Sequence, residues 1–226
     1  MCHALIDADI LVYRIGFATN DDDADMAIST MASYIEDILM VDLPEAQTWE
    51  LFLTGTNNFR KEKAVTAPYK GNRKSEKPVH YTLLRDYLQL SWGAYMTDGI
   101  EADDMLAIRA TELGEDSVIV TLDKDLDQVV GWHYNFAKKN KYFITKDEGL
   151  LNFYKQFLTG DVVDNIKGVK GIGEAKADKL LRDKTEAEMW GIIVEKLGQD
   201  RALENGHLLY MLRTRDDFFQ PPELGS

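Results

Sequence analysis

Residues 93–125 read GAYMTDGIEADDMLAIRATELGEDSVIVTLDKD, and this stretch decides the fold. It opens on a short apolar run, Ala94–Met96, that reads as a strand. A helical segment follows over Asp103–Leu113, with Met105, Leu106, Ile108 and Leu113 apolar. The β-branched run Val118–Val120 then reads as a buried strand. Strands alternating with helices in this way build an α/β domain around a mainly parallel sheet. Acidic residues follow both strands: Glu101, Asp103 and Asp104 in GIEADD, and Asp123 and Asp125 in TLDKD.

Outward from this unit the alternation continues. Upstream, Ala4–Ile6 is a short apolar run ending in acids, and Met26–Met40 carries apolar residues at helical spacing. Trp49–Leu53 reads as a strand and Tyr81–Leu90 as a helix. Downstream, His133–Phe136 and Tyr142–Ile144 read as edge strands or a hairpin. After Glu148 the pattern changes to helices over Leu150–Leu158, Ala175–Leu181 and Glu186–Leu197, joined by Gly-rich turns, with no further strand. The expectation is a mainly parallel twisted sheet flanked by helices over residues 1–148, and a helical region over 149–226 with a frayed tail from Gln220.

The composition fits that division. The chain has 226 residues, of which 45% are hydrophobic and 29% charged, enough for a packed core. No apolar run reaches the ~18 residues a membrane span needs. The N-terminus has no secretory pattern, and the single cysteine, Cys2, agrees with a reducing compartment, so a cytoplasmic protein is expected. The net charge of −13 argues on its face against a nucleic-acid partner, since phosphates reward basic surfaces.

Where the acids sit decides that objection. Asp7 and Asp9 close the first strand and, as alternate strand residues, face one way. Glu101, Asp103 and Asp104 follow the Ala94–Met96 strand, and Asp123 and Asp125 follow Val118–Val120. Asp161 and Asp164, in TGDVVDN, open the helical region. Ligands of parallel α/β sheets bind outside the carboxyl ends of the strands. Any one acidic pair is more often a cap or a solvated loop, which is how Asp21, Asp22, Asp23 and Asp25 read. Four groups at matching positions gather nine carboxylates, a set that stays ionised only with cations. Oxygen donors alone suit Mg²⁺ or Mn²⁺, one or two ions, and no His or Cys has zinc spacing. In GVKGIGEAKA, Gly168, Gly171 and Gly173 let backbone approach a phosphate at the head of a helix, with Lys167, Lys170, Lys176 and Lys179 around them.

The series ALIDADILVYR, APYKGNR, GIEADD, TLDKD and GDVVDNIKGVKGIGEAKA, over residues 4–177, resembles the 5′→3′ exonuclease and flap endonuclease superfamily, nearest in flavour to those of tailed bacteriophages. The resemblance implies a PIN-like core over 1–148, including an arch segment at 60–90, and a helix–three-turn–helix near 161–182. It makes Asp7, Glu101, Asp103, Asp104, Asp123, Asp125, Asp161 and Asp164 metal ligands, with Asp9 in reserve. Lys70 and Arg73 become the basic residues that approach the scissile phosphate, and Tyr13 an aromatic that stacks on the terminal nucleotide. DNA with free 5′ ends or 5′ flaps is the implied substrate, with RNA–DNA hybrids admitted. The turn would grip duplex backbone, with K⁺ among its ligands, and no replication protein is indicated.

Arg60–Lys77 holds seven basic and two acidic residues, and Arg60, Lys61 and Lys74 are expected to face DNA. Ala67-Pro68 and Gly71 make it a poor helix, expected to be mobile without DNA. One departure stands out: relatives carry another Asp at the end of the second strand, where this chain has Leu53-Thr54-Gly55-Thr56-Asn57-Asn58. That keeps alive a non-catalytic binder of branched DNA. A PIN-type endoribonuclease is disfavoured by the Gly-rich turn.

Overall fold

The computed structural model describes residues 2–72 and 76–223. One sheet is made from β1 (Cys2–Asp7), β2 (Ala46–Leu53), β3 (Tyr95–Met96), β4 (Ser117–Val120), β5 (Gly131–Asn135) and β6 (Asn140–Ile144), in the order β3-β2-β1-β4-β5-β6. All neighbours are parallel except the β5–β6 hairpin. The chain leaves β1 toward β2 and β3, then returns to its other side as β4. The strand order therefore reverses between β1 and β4, and a crevice opens at their carboxyl ends.

The alternation of side chains along the strands feeds two cores. Ala4, Ile6, Leu51, Leu53, Val118 and Val120 face one way, against α1 (Ala8–Ala18), α2 (Ala24–Glu36) and α4 (Tyr81–Trp92). Leu5, Phe52 and Ile119 face the other way, against α5 (Ala102–Leu113) and, from far along the chain, Met211 and Leu212. A third cluster joins α6 (Lys146–Thr159), α7 (Glu174–Leu181), α8 (Glu186–Leu197) and α9 (Gln199–Leu209), and the single turn α3 (Arg60–Lys63) lies against α9. Covering both faces of β1 explains why its central residues are apolar without alternation.

Several details differ from the sequence expectation. The first strand ends at Asp7, whose carboxylate accepts a hydrogen bond from Ile10 N (3.2 Å) and caps α1. Asp9 therefore lies on the first turn of a helix, not on the face of a strand. Asp23 caps α2, as expected of a helix start. Past Glu148 two short strands do form: β7 (Gly160–Asp161) pairs antiparallel with β8 (Ile166–Lys167). The tail is anchored up to Phe219, which is 5% exposed and packs on Phe153 and Trp190. The tail residues Leu224–Ser226 lie outside the described residues.

Candidate metal centre and nucleic-acid cleft

The carboxyl ends of β1 and β4 and the start of α5 bring the acids together. Asp7 is 2% exposed and accepts a hydrogen bond from Thr121 Oγ1 (2.8 Å), just past β4. Burial, then the neighbouring charges of Asp9 and Asp123, push its carboxyl up to about 7. Asp103, on the first turn of α5, is pushed well above the usual range by burial and by Asp7, Asp123 and Glu101. Asp123 caps the 3-10 turn Lys124–Gln128 by accepting from Asp125 N (2.8 Å), and burial raises it too. Asp125, which accepts from Gln156 Nε2 (2.7 Å), is raised to about 8 by burial and then by Asp123 and Asp161. Asp161, in β7, accepts from Val163 N (2.7 Å) and is raised by burial and by Asp164.

Two members of the predicted set are placed otherwise. Asp104 is fully buried and forks onto Arg60: Nη1 and Nη2 donate to its two oxygens at 2.5 and 2.7 Å. It also accepts from Glu101 N (3.1 Å) and Leu212 N (3.2 Å). Both oxygens are spent, so Asp104 is an anchor of α5 rather than an open donor. Arg60 is 2% exposed and donates to the carbonyls of Leu208 (2.9 Å) and Tyr210 (2.7 Å), so it does not face a nucleic acid. Glu101 is in between. Burial pushes its carboxyl up, but Lys70 and Arg60 outweigh this and hold it below its ordinary range. It accepts from Lys70 Nζ and from Tyr69 OH (2.7 Å).

Tyr69, which sequence reasoning passed over, has its OH 2.7 Å from Glu101 Oε2 and 2.7 Å from Asp164 Oδ2, so one proton is shared between two acidic groups and ties them together. Lys70 takes a left-handed backbone (φ 55°) and its N–H donates to the Asp164 carbonyl (3.0 Å), which aims its ammonium at Glu101. A non-glycine residue held there costs on the order of 1–2 kcal/mol. The rest of the described arch segment is docked rather than loose: Asn72 Nδ2 donates to Val162 O (2.7 Å) and Thr66 N to Glu204 Oε1 (2.6 Å). Arg73 and Lys74 lie outside the described residues.

A cleft of about 620 Å³ runs from these acids past Tyr13, Phe17, Tyr81 and Lys61. Tyr13 and Tyr81 lie tilted against each other at 57°, centroids 5.5 Å apart. Asp9 also lines this cleft, near enough to Asp7 to raise it, and is paired with Arg85 (2.6 Å), a second residue that sequence reasoning missed. Arg85 sits in an amphipathic helix where one cation reads as surface. Lys61 Nζ donates to Thr56 O (3.1 Å) at the rim.

On the helical side, Gly168 serves the fold before any ligand. A Cβ there would come within 2.4 Å of Gly160 N and Leu158 O, so two backbones touch at this point. Gly171 (φ +82°) and Gly173, the residue preceding α7, face open space. Lys167, Lys170 and Lys176 are exposed beside them, and Lys176 Nζ donates to Gly171 O (3.4 Å).

The donor chemistry of Asp7, Asp103, Asp123, Asp125 and Asp161 fits a hard divalent cation: oxygen ligands, buried, with like charges uncompensated. Among the described residues no three acid, His or Cys side chains are already closed into a metal-holding set.

The comparisons agree with this reading of the fold. Residues 3–155 match the family model described as 5′-3′ exonuclease, N-terminal resolvase-like domain. DNA polymerase I of Bacillus caldotenax is 32% identical over 206 residues, which cover 79% of this chain and 23% of that protein. The 5′-3′ exonuclease of Buchnera aphidicola is 28% identical, covering 79% of this chain and 69% of that protein. The chain thus spans about a quarter of the polymerases it matches. Among solved structures, a bacteriophage T5 flap endonuclease complex with DNA and metal ions aligns over 94% of this chain and 89% of that one, at 19% identity and a TM-score of 0.69. The catalytic core of Rad2 with DNA substrate aligns over 80% and 60%, at 15% identity and a TM-score of 0.53. The sheet order, the acids at its carboxyl edge and the family match over two thirds of the sequence carry one conclusion: this chain belongs to the 5′-3′ exonuclease family, through its N-terminal resolvase-like domain on a PIN-like fold.

Proposed function

We propose that the chain is a divalent-metal-dependent 5′→3′ exonuclease that also cuts 5′ flaps in DNA, without sequence specificity and in the cytoplasm. One observation carries the reading: Asp7, Asp103 and Asp123 gather at the carboxyl edge of the sheet, Asp125 and Asp161 stand beside Asp123, and Lys70 faces Asp103, Asp123 and Asp161. Asp7, Asp103, Asp123, Asp125 and Asp161 would hold Mg²⁺ or Mn²⁺. Such ions supply an activated water and offset charge on the phosphate during in-line displacement.

The chain's own residues do the remaining work. Lys70 lies between Glu101 and Asp164 and puts a fixed ammonium against the scissile phosphate. Arg73, beyond it, would add a second cation. Tyr13 and Tyr81 give a terminal base an aromatic wall. The open backbone at Gly171 and Gly173, with Lys167, Lys170 and Lys176, takes duplex phosphates and reads no bases. This assigns residues 149–226, apart from Asp161, to duplex binding and 1–148 to cleavage. A K⁺ ion at the turn would compete with the Lys176 ammonium for the Gly171 carbonyl.

The DNA and metal ions named for the T5 flap endonuclease complex, and the DNA substrate named for Rad2, support the reading by likeness of fold. The test is a 5′-labelled flap in Mg²⁺ or Mn²⁺, beside an RNA–DNA hybrid. Release of label that disappears in Asp103→Ala and Asp123→Ala is expected. Tight binding of the flap with no cleavage in either metal would leave a non-catalytic binder instead.

A further inference from the structure

The cleft also carries a constellation that the proposed metal ligands do not enter. Arg85, on α4, donates through Nη1 to Asp9 Oδ1 (2.6 Å) and through Nη2 to Thr54 O (2.6 Å). Thr54 N donates to the other oxygen of Asp9 (2.8 Å), and Thr54 Oγ1 accepts from Ala102 N (3.0 Å). Three elements and the turn after β2 are thereby locked to one guanidinium. That guanidinium lies 5.4 Å from the Tyr81 ring centroid, a ring that also carries the Lys77 ammonium at 4.2 Å.

Both oxygens of Asp9 are committed to this network, so Asp9 acts as a counterion and not as a spare metal ligand. Arg85 keeps more donors than it spends. A guanidinium has five N–H groups, and two of Arg85's are used. Its side chain is 11% exposed and lines the cleft that Asp7, Asp103 and Tyr13 also line. A planar, pre-oriented and permanently charged fork of this kind matches a phosphate oxygen pair.

The geometry points to Arg85 as a phosphate-binding residue of the cleft, which holds a nucleic-acid phosphate next to the metal-holding acids while Asp9 fixes its direction. The inference rests on the cleft being the nuclease site. The strand would then meet a fixed cation as well as the acids, with Tyr13 and Tyr81 taking the adjoining base.

The test uses cleavage of a labelled single-stranded 5′ overhang across a salt series, with 5′-phosphate and 5′-hydroxyl substrates. Arg85→Met is expected to raise KM about tenfold, as for one lost specific phosphate contact, and to leave kcat within about threefold. It should also lower the slope of log KM against log salt by roughly 0.7–0.9, one phosphate's worth. Arg85→Met combined with Asp9→Asn leaves no orphaned charge, so it keeps the fold and should show the same salt slope as the single variant. Arg85→Lys, which keeps the charge but not the fork, should restore the slope while KM stays raised. An effect confined to the 5′-phosphate substrate identifies the terminal phosphate, and an effect on both identifies an internal phosphodiester. Unchanged KM and slope in a folded variant, or a loss in kcat alone, would overturn the assignment. If the unaltered protein cleaves nothing, the nuclease reading fails first and separately.

Discussion

Glu101 and Asp103 stand two residues apart at the head of α5, in opposite electrostatic situations. Glu101 and its neighbour Asp104 are met by Lys70, Tyr69 and the buried fork of Arg60. Asp103 instead faces Asp7 and Asp123, with the weaker pull of Lys70 last among the influences on it. One half of the acidic cluster is neutralised from within the chain and the other half is left charged against itself. Neutralised acids hold a fold together, and acids left against one another store a demand for a cation from outside. One helix turn does both because successive residues on a helix point about 100° apart.

The comparison breaks most visibly under substitution. Asp123→Ala should cost cleavage roughly a hundred- to a thousandfold, the scale of removing one preorganised electrostatic group. In the metal-free protein the same change should raise the melting temperature by relieving repulsion, so calorimetry and the flap assay move in opposite directions. On the neutralised side the sign reverses. Arg60→Met leaves Asp104 buried without its partner and should destabilise the fold by about 3–5 kcal/mol in urea titration. Divalent ions give a third handle. Saturating Mg²⁺, at ~100 times its dissociation constant, should stabilise the native protein by about 2.7 kcal/mol, and Asp123→Ala should lose most of that.

The two halves should also differ with pH. Asp7 and Asp125 hold protons in the folded, ion-free protein up to about 7 and about 8, whereas the unfolded chain releases them near the ordinary carboxylate value. The folded state binds more protons between those limits, so stability in EDTA should fall as pH rises from about 4 to about 8. Glu101 contributes the reverse, present above the unfolded value and lost on acidification, because its folded value is lowered. Unfolding midpoints across that range, with and without Mg²⁺, measure both. The smallest effect is at the seam: Tyr69→Phe removes the hydroxyl shared by Glu101 and Asp164 and should cost about 1–2 kcal/mol.

Much of this could be seen in the chain as written. β1, β2, β4 and α5 follow from apolar runs and helical spacing, because a sheet buried on both faces leaves a strong local signal. The acids at strand ends follow from the same pattern. The pairing of Arg60 with Asp104 does not, because the partners are 44 residues apart and Arg60 begins a run that reads as a solvated basic segment. Asp104 and Asp103 are the same residue type side by side, and only packing separates anchor from ligand. Helix α9 was missed because its core-facing positions include Asn205 and Gly206, the latter pressed against the Phe219 ring, so no apolar stripe marks it. Arg85 is hidden for a similar reason: its partners Asp9 and Thr54 come from two other elements.

The segment that crosses back under α5 has a consequence in time. Leu208 and Tyr210 give their carbonyls to Arg60, Leu212 N donates to Asp104, and Met211 N donates to Gln128 Oε1 (2.9 Å). Every acid of the cluster has been made once Asp164 is added, yet the clamp that orients α5 needs residues some fifty positions later. During synthesis, at roughly 5–20 residues per second, the nascent chain therefore passes several seconds with its acids present and their scaffold unfinished. The acidic centre thus acquires its scaffold only after the segment through Leu212 has been made.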